Sequence, residues 1–417
     1  MSSDGHGVPT SADAVVVGAG VVGAAIAFHL TRLGVRDVVA VEKGAVAGRA
    51  SGRSGALVRT HYTNPDEARV ALAALPWFED WPDRVGGERC FTRTGFLQMV
   101  DARDRSTLRD NVEQLRRIGV DTRLVEADEI VELAPYLRLA DGELAAYEPR
   151  SGYADPVATT VGFASAARRR GGTVSEGVAV TAVLTAAGQV RGVRTTAGDI
   201  ATPTVVLANG AWSTSLLRPL GVELDITPIW AQVTFVARPR GLAAGPSGHL
   251  TIIDRANGCY LRPQGDDLTL LGLSAYRRPL PDLDADRPEE EPEFAELARR
   301  QAARRIPALA DARRVRGHGG PLDVTPDRRM VLGAAPEVPG LYLAVGMSGG
   351  GFKKAPAIGA CVAELIVDGK ASTAPIEAFR ATRFAEGQPL SGAEYSLPAD
   401  GVDPRRRAEL DEQGLIH

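Results

Sequence analysis

A strand, a glycine-rich turn and a helix near the start of the chain constrain its fold more than any other feature. Residues 14–17 form a short apolar run rich in valine, as in a buried parallel strand, and helical apolar spacing follows at 24–33. Between them, Gly18 permits a tight turn, Gly20 lets the backbone approach a pyrophosphate, and Gly23 lets the helix pack closely on the strand. This arrangement predicts a dinucleotide-binding site, although a strand–turn–helix without a ligand is the simpler alternative.

A second apolar run at 38–41 ends in Glu42, 24 positions after Gly18. A carboxylate at this place can accept hydrogen bonds from a ribose diol, so it favours FAD or NAD over a 2′-phosphorylated cofactor. The free N–H groups at the start of the helix, with its partial positive charge, would face the phosphates.

Two further segments distinguish FAD from NAD. Small residues are dense at 47–56, which we call the small-residue segment, and they would let backbone lie flat against an isoalloxazine ring. A second glycine-rich turn at 346–351 lies between a predicted strand at 341–345 and a predicted helix with Pro356 in its first position. The N–H groups of that turn would stabilise the negative charge of a reduced flavin. The alternative for residues 47–56 is a flexible loop, and the alternative for residues 346–351 is a turn that binds no ligand.

Composition narrows the class of protein. A chain of 417 residues with 44% hydrophobic and 24% charged residues is typical of two folded domains or one elaborate α/β unit. A net charge of −4 gives no reason to expect nucleic acid or an anionic membrane as a partner. Three cysteines without metal-ligand spacing, and no basic region near the N-terminus, indicate a cytoplasmic protein without a metal site.

Taken together, these segments are similar to the D-amino-acid-oxidase-like superfamily of FAD oxidoreductases, and to its branch of sarcosine oxidase, glycine oxidase and dimethylglycine dehydrogenase. The resemblance implies oxidation of a small amino acid or a secondary or cyclic amine, by hydride transfer from the α-carbon to flavin N5. The products would be an imine and, with O2, hydrogen peroxide. The similarity covers most of residues 12–370, in the segments 12–43, 53–62, 152–158, 205–213, 258–272, 323–333 and 340–366.

The resemblance also implies the fold class: α/β, with a discontinuous Rossmann-type FAD-binding domain and an α+β substrate domain whose sheet is mostly antiparallel. Four predicted strands between 229 and 273 agree with such a sheet. The polar residues 386–417 are predicted to form a peripheral C-terminal tail. We expect the FAD-binding domain at 12–85, 149–226 and 319–385, and the substrate domain at 86–148 and 227–318.

Site residues follow from the same resemblance. Arg59 and Lys353 match the two cations that hold a substrate carboxylate, one through two parallel hydrogen bonds and the other as a point charge. For Arg59, a surface position or a phosphate contact is the alternative. The expected FAD contacts lie in both glycine-rich turns and in the small-residue segment and its surroundings: Gly18, Gly20, Val21, Val22, Gly23, Glu42, Lys43, Ala50, Ser51, Gly55, Ala56, Leu57, Val178, Gly346, Gly349, Gly351, Phe352 and Lys353.

Four other side chains are candidates for the pocket. His61 and His318 could affect protonation of the substrate amine, although each could equally be structural. Tyr260 and Arg262 belong to the predicted sheet above the flavin, and we expect them to face the substrate.

The sequence departs from the family pattern in three places. Gly350 replaces a histidine, and Gly319 and Gly320 occupy the region where sarcosine oxidase attaches FAD to a cysteine, so noncovalent FAD is expected. The run 268–272 lacks the lysine that activates oxygen in sarcosine oxidase. The electron acceptor is therefore O2 or another molecule, and an amine dehydrogenase or a partner-dependent flavoprotein subunit is the alternative to an oxidase. A homo-oligomer is compatible with the sequence, whereas an NAD(P)H-consuming flavoprotein would need a second nucleotide motif that is absent.

Overall fold

Residues 8–242, 248–276, 278–285 and 289–397 are described by the computed structural model. The strands of these residues are β1 (Ala14–Val17), β2 (Val38–Glu42), β3 (Leu57–Val58), β4 (Phe91–Arg93), β5 (Phe96–Val100), β6 (Arg123–Val125), β7 (Leu144–Glu148), β8 (Gly152–Ala154), β9 (Thr173–Glu176), β10 (Val180–Ala186), β11 (Gln189–Thr195), β12 (Gly198–Ala201), β13 (Val205–Leu207), β14 (Thr227–Ala237), β15 (Thr251–Asp254), β16 (Cys259–Gln264), β17 (Leu268–Leu273), β18 (Arg278–Pro279), β19 (Arg314–Val324), β20 (Val331–Ala334) and β21 (Leu341–Val345). Their α-helices are α1 (Val21–Arg32), α2 (Pro65–Glu79), α3 (Trp81–Arg84), α4 (Arg105–Arg117), α5 (Ala127–Leu133), α6 (Pro156–Arg169), α7 (Ser213–Leu217), α8 (Pro292–Arg305) and α9 (Gly351–Asp368).

β1 lies inside a six-stranded sheet with the order β20-β21-β13-β1-β2-β9. All neighbours in it are parallel except β20 and β21. Ala14 and Val16 face a core shared with α1, α6 and α9, whereas Val15 and Val17 face a second core shared with the antiparallel sheet β10-β11-β12. Because both faces are covered, the strand is apolar at every position.

The larger sheet has the order β18-β14-β17-β16-β15-β5-β7-β6, with β19 paired to β14. Its pairs are antiparallel except β5 with β15. Helix α8 covers one face through Phe294, Ala298 and Ala302. A small antiparallel sheet has the order β3-β8-β4. These sheets confirm the predicted fold class.

Several local predictions can be compared with the structure. The sequence predicts a helix that begins at Pro65 with Asn64 as its N-cap. Asn64 does cap α2, since its side chain accepts hydrogen bonds from the N–H groups of Asp66 and Glu67. The prediction that Pro356 occupies the first helical position is wrong, because α9 begins at Gly351 and contains the proline. The helix starts earlier because residues 351–355 are buried, so packing outweighs the one backbone hydrogen bond that proline lacks.

Two predicted boundaries can also be compared with the described elements, while the division into domains stays a prediction. The expected boundary between 318 and 319 falls inside β19, which runs unbroken from one predicted domain into the next. The tail is not peripheral at its start: Tyr395 and Leu397 are buried, and Tyr395 joins an apolar cluster with Val100 and Leu144. Apolar side chains within a polar segment are enough to fix it against the core. Residues 398–417 lie outside the described part of the chain. Within that part, no helix is long and apolar enough to cross a membrane.

One buried ion cluster fixes α8 to the large sheet. Arg305 is 1% exposed, and its Nε lies 2.6 Å from Asp254 Oδ2 while Nη2 lies 2.6 Å from Glu143 Oε1. Both carboxylates are buried, so each depends on this guanidinium to compensate for lost hydration.

We expect Arg305→Ala to lower the free energy of unfolding by about 3–5 kcal/mol, because it leaves two buried carboxylates without their cation. Urea unfolding measures the change. Arg299→Ala is the matched control, since Arg299 pairs with the exposed Glu296 and should cost no more than about 1 kcal/mol. Equal losses in the two variants would contradict this account.

Candidate active site

The turn after β1 forms the floor of a first cavity. Gly18 has φ +97°, and a Cβ there would lie 2.8 Å from the carbonyl oxygen of Ala208. A Cβ on Gly23 would lie 1.9 Å from the carbonyl oxygen of Gly18, so only glycine allows α1 to approach the strand. The residues around this cavity are Val17, Gly18, Gly20, Val41, Glu42, Lys43, Ala45, Ala47, Gly48, Arg49, Ala50, Ser51, Ala179, Val180, Ala208, Asn209, Gly210, Ala211, Trp212, Ser215, Leu216, Pro321 and Asp323.

Polar groups of the first cavity are held in place by the loops around it. Glu42 at the end of β2 accepts hydrogen bonds from the N–H groups of Ala19 (2.9 Å) and Gly44 (3.0 Å). Ser51 Oγ accepts one from the N–H of Val21 (2.9 Å), which lies in the first turn of α1. Lys43 lies 4.0 Å above the ring of Trp212. The acid and the hydroxyl therefore lie at the N-terminus of α1, where the helix dipole favours anions.

The small-residue segment connects this cavity to a second one. It begins with Ala47 at φ 63° and ends with Ala56 at φ 52°, both left-handed conformations that a bulky β-branched residue avoids. Ala50 and Ser51 line the first cavity, and Ser54 and Gly55 line the second.

The second cavity has a volume of about 590 Å³ and lies between the large sheet, the turn before α9 and residues 390–397. Its walls come from residues 54–67, from Gln98, and from the ranges 231–276 and 322–397. They are Ser54, Gly55, Ala56, Leu57, Arg59, His61, Tyr62, Thr63, Glu67, Gln98, Ala231, Gln232, Ile253, Arg255, Tyr260, Leu273, Ser274, Ala275, Tyr276, Leu322, Pro326, Asp327, Arg328, Arg329, Met347, Ser348, Gly349, Gly350, Lys353, Leu390, Ser391, Gly392, Glu394, Tyr395 and Leu397.

Positive charge is concentrated on one side of this cavity. Burial lowers the pKa of Lys353, and the charge of Arg59 lowers it further, while Tyr62 opposes the change. Burial would raise the pKa of the Tyr62 phenol, but the charges of Lys353, Lys354 and Arg59 lower it below its usual value. The guanidinium carbon of Arg59 lies 4.4 Å from the centre of the Tyr62 ring. Lys354 differs from its neighbour, because it forms a buried ion pair with Glu67.

His61 lies beside these cations and stays neutral. Burial lowers its pKa to about 3, and the charges of Arg59 and Arg255 add to the effect. Its Nε2 is 2.7 Å from the hydroxyl of Tyr395, which also accepts a hydrogen bond from Asn111. The C-terminal segment therefore forms part of the cavity wall.

The second glycine-rich turn contacts a buried acid, Asp323. Ser348 has φ 50°, and its N–H donates to the carbonyl oxygen of Asp323 (3.0 Å). Burial raises the pKa of the Asp323 carboxyl to about 6, and its Oδ2 has no partner among the described residues. This acid lines the first cavity at the end of β19.

The structure brings together part of the predicted site. Arg59, Lys353, His61 and Tyr260 line the second cavity, as do Gly55, Ala56, Leu57 and Gly349, whereas Gly18, Gly20, Glu42, Lys43, Ala50 and Ser51 line the first. The other expected FAD contacts do not line either cavity and stay predictions: Val21, Val22, Gly23, Val178, Gly346, Gly351 and Phe352.

Two of the predicted pocket residues lie elsewhere. Arg262 is 1% exposed and donates to the carbonyl oxygen of Gly55 (2.5 Å), so its guanidinium fixes the small-residue segment instead of facing the cavity. His318 lies on β19 with its Nε2 3.2 Å from the carbonyl oxygen of Arg53, and it packs against Phe235. Both expectations of a position in the pocket are wrong, because backbone acceptors and packing hold these side chains outside it.

Polar residues of the second cavity that sequence reasoning missed include Tyr62, Gln98, Arg255 and Glu394. Tyr62 could have been found, since it lies three positions after Arg59. The other three come from strands and a tail that are far away in sequence, so no local pattern marked them.

Comparison with known proteins identifies the family. Residues 13–365 match the family described as "DAO: FAD dependent oxidoreductase". The chain belongs to this family. It is 28% identical to sarcosine oxidase subunit beta of Arthrobacter sp over 87% of its own length and 88% of that protein. The solved structure of L-proline dehydrogenase from P. horikoshii superposes with a TM-score of 0.84 at 29% identity, covering 92% of this chain and 100% of that one.

Some relatives are much longer. The pyruvate dehydrogenase phosphatase regulatory subunit of Mus musculus is 25% identical over 88% of this chain, but this chain spans only 43% of its length. This chain likewise spans less than half of several other curated relatives. Its family assignment and its cofactor class, FAD, follow from the match that covers most of its own length.

We expect the pH dependence of stability to report on Asp323. A folded-state pKa of about 6, above the ordinary value of 3.8, stabilises the fold fully below pH 3.8, and this contribution is lost as pH rises through 6. As pH rises between these limits, the free energy of unfolding of the wild-type apoprotein should therefore fall by on the order of 3 kcal/mol relative to that of Asp323→Asn. The exposed Asp225→Asn variant is the control, and a difference between wild type and Asp323→Asn that does not change with pH would refute the assignment.

Proposed function

We propose that this chain binds FAD along both cavities and oxidises the C–N bond of a small amino acid or of a secondary or cyclic amine. The observation on which the substrate class depends is the pair Arg59 and Lys353. Both face the second cavity, and neither forms an ion pair within the described residues. Two such cations that form no ion pair favour a ligand that carries a carboxylate.

The cavities fit FAD in shape and chemistry. The glycines of the first turn leave room for a pyrophosphate at the start of α1, and Glu42 is placed for a ribose diol. The small-residue segment and the turn before α9 would border the ring system. FAD would supply a two-electron acceptor for the substrate. We infer noncovalent binding, since Cys90, Cys259 and Cys361 do not line either cavity.

The protein's own contribution is to bind and orient the substrate. Arg59 and Lys353 would hold the carboxylate, while Tyr260 and the large sheet would exclude water from above. Oxidation needs a neutral amine, and the cations that lower the pKa of Tyr62 would also lower that of a bound ammonium. Neutral His61 would fix Tyr395 and add no charge of its own.

The electron acceptor defines a second candidate function. We propose O2 as acceptor, which would give hydrogen peroxide. The buried Leu270 and Leu271 of β17 offer no cation near the cavity, and this favours a dehydrogenase or a partner-dependent subunit instead. Relatives named as a dehydrogenase and as subunits support the same alternative. Peroxide formation with substrate supports the oxidase. Turnover only with an artificial acceptor, or only with a partner protein, supports the alternative.

FAD binding is tested at the first turn. We expect the purified protein to be yellow, and Gly23→Ala to bind FAD at least about tenfold more weakly, because its Cβ would displace the turn at a cost of about 1–3 kcal/mol. Fluorescence titration of apoprotein with FAD measures the change. Gly44→Ala is the matched control, since its Cβ would meet no atom closer than 3.8 Å. Protein that stays colourless and takes up no FAD would end the proposal.

Substrate binding is tested by anaerobic bleaching of the flavin with N-methyl, cyclic and primary amino acids. Arg59→Ala and Lys353→Met should each weaken a substrate with a carboxylate by on the order of 1.5–3 kcal/mol, through loss of charge-assisted hydrogen bonds. The affinity for the corresponding amines without a carboxylate should change little in these variants. Half-saturating concentrations that do not change in either variant would remove both residues from the pocket.

A further inference from the structure

The second cavity contains more cations than a single carboxylate needs. Besides Arg59 and Lys353, both Arg255 and Arg328 line it without an ion pair among the described residues. The Nε of Arg255 is buried without an acceptor, and the desolvation of a buried cation must be compensated. Arg255 is therefore a group that the proposed amino-acid site does not yet explain.

Strand geometry places Arg255 on the same side of the sheet as a second donor, Gln98. β5 and β15 pair in parallel with Gln98 opposite Ile253, and Arg255 follows two positions later. Alternate residues point to opposite faces, so Gln98, Ile253 and Arg255 share the cavity side, whereas Leu97 and Ile252 enter the core. Gln98 is 3% exposed, and its Nε2 and the Nε of Arg255 are buried without an acceptor.

The acids around Arg255 are already engaged elsewhere. Glu394 attracts it, but the Glu394 carboxylate accepts a hydrogen bond from Thr63 Oγ1 (2.7 Å) and pairs with Arg329. Asp104 accepts hydrogen bonds from the N–H and hydroxyl of Ser396. Burial lowers the pKa of Arg255, and Arg59 is close enough for its charge to add to the effect. The donors of Gln98 and Arg255 thus point to a missing anion within reach of Arg59.

We propose that Arg255 and Gln98 bind a second carboxylate, so that the substrate is a dicarboxylic amino acid or an N-substituted derivative of one. Arg59 and Lys353 would hold the α-carboxylate, and Arg255 with Gln98 the carboxylate of the side chain. This inference rests on the proposed function and names its substrate class. A substrate with a neutral side chain would leave the two buried donors of Gln98 and Arg255 unpaired. The cost of unpaired donors would make the site discriminate strongly against such substrates.

Binding is tested without chemistry by titrating the FAD-loaded protein with glutarate and with its monoamide, followed by calorimetry and flavin absorbance. Glutarate should bind about tenfold more tightly or better, as expected for a charge-assisted contact. Arg255→Gln should bring the two affinities within about threefold, and Arg255→Lys should restore part of the difference. Arg116→Gln, the same change on an exposed residue outside the cavity, should leave the preference unchanged.

In a second variant, Gln98→Glu, the protein itself supplies a carboxylate that should pair with Arg255. The affinity for glutarate should fall at least about tenfold, whereas the affinity for the monoamide should change by no more than about threefold. Under anaerobic conditions, glutamate and N-methylglutamate should reduce the wild-type flavin faster than glutamine and N-methylglutamine do. The Arg255→Gln variant should show no such difference. If Arg255→Gln does not fold, Gln98→Glu provides the same comparison.

The outcomes separate this inference from the function on which it rests. Equal binding of glutarate and its monoamide to wild type, or a preference that is unchanged in both Arg255→Gln and Gln98→Glu, would overturn the second carboxylate site even if neutral amino acids reduce the flavin. Glutarate binding that depends on Arg255, in a protein whose flavin is not reduced by any amine tested, would support the dicarboxylate site and refute amine oxidation.

Discussion

The close contact of α1 with its neighbours is the constraint on which the rest of the structure depends. At Gly23 the helix touches the turn after β1, and at Gly359 helix α9 approaches so closely that a Cβ would lie 2.7 Å from the backbone of Ala25. These contacts bring the N-termini of α1 and α9 to the same side of the parallel sheet. Each N-terminus has free N–H groups, so the fold concentrates positive potential where the two cavities lie.

Charge balance distinguishes the two cavities. In the first, the protein supplies its own anion at Glu42, each of whose oxygens accepts one hydrogen bond from a backbone N–H group and has capacity for another. In the second, Glu67 and Glu394 are paired with Lys354 and Arg329, and the remaining cations form no ion pair among the described residues. Such an excess is costly in a buried site unless a ligand compensates it. The second cavity is therefore organised around anions that come from outside the chain.

Local patterns were sufficient for the turns and for the residues near them. The spacing from Gly18 to Glu42, the cap at Asn64 and the cations Arg59 and Lys353 could all be identified, because each depends on neighbours in sequence or on a family motif. Arg262 and His318 were misplaced for the opposite reason. A strand pattern shows that a side chain alternates between faces, but it does not show which face meets a cavity or which backbone oxygen will capture a guanidinium.

The sequence by itself determined the family, the cofactor class and the two-sheet architecture, since glycine positions and strand periodicity encode backbone geometry locally. Only the tertiary structure decided which side chains share the second cavity. Gln98 and Arg255 come from strands more than 150 positions apart, and Glu394 and Tyr395 come from a polar segment that packs back against the core. Their proximity depends on parallel pairing and on burial of a few apolar side chains, which are properties of the assembled fold.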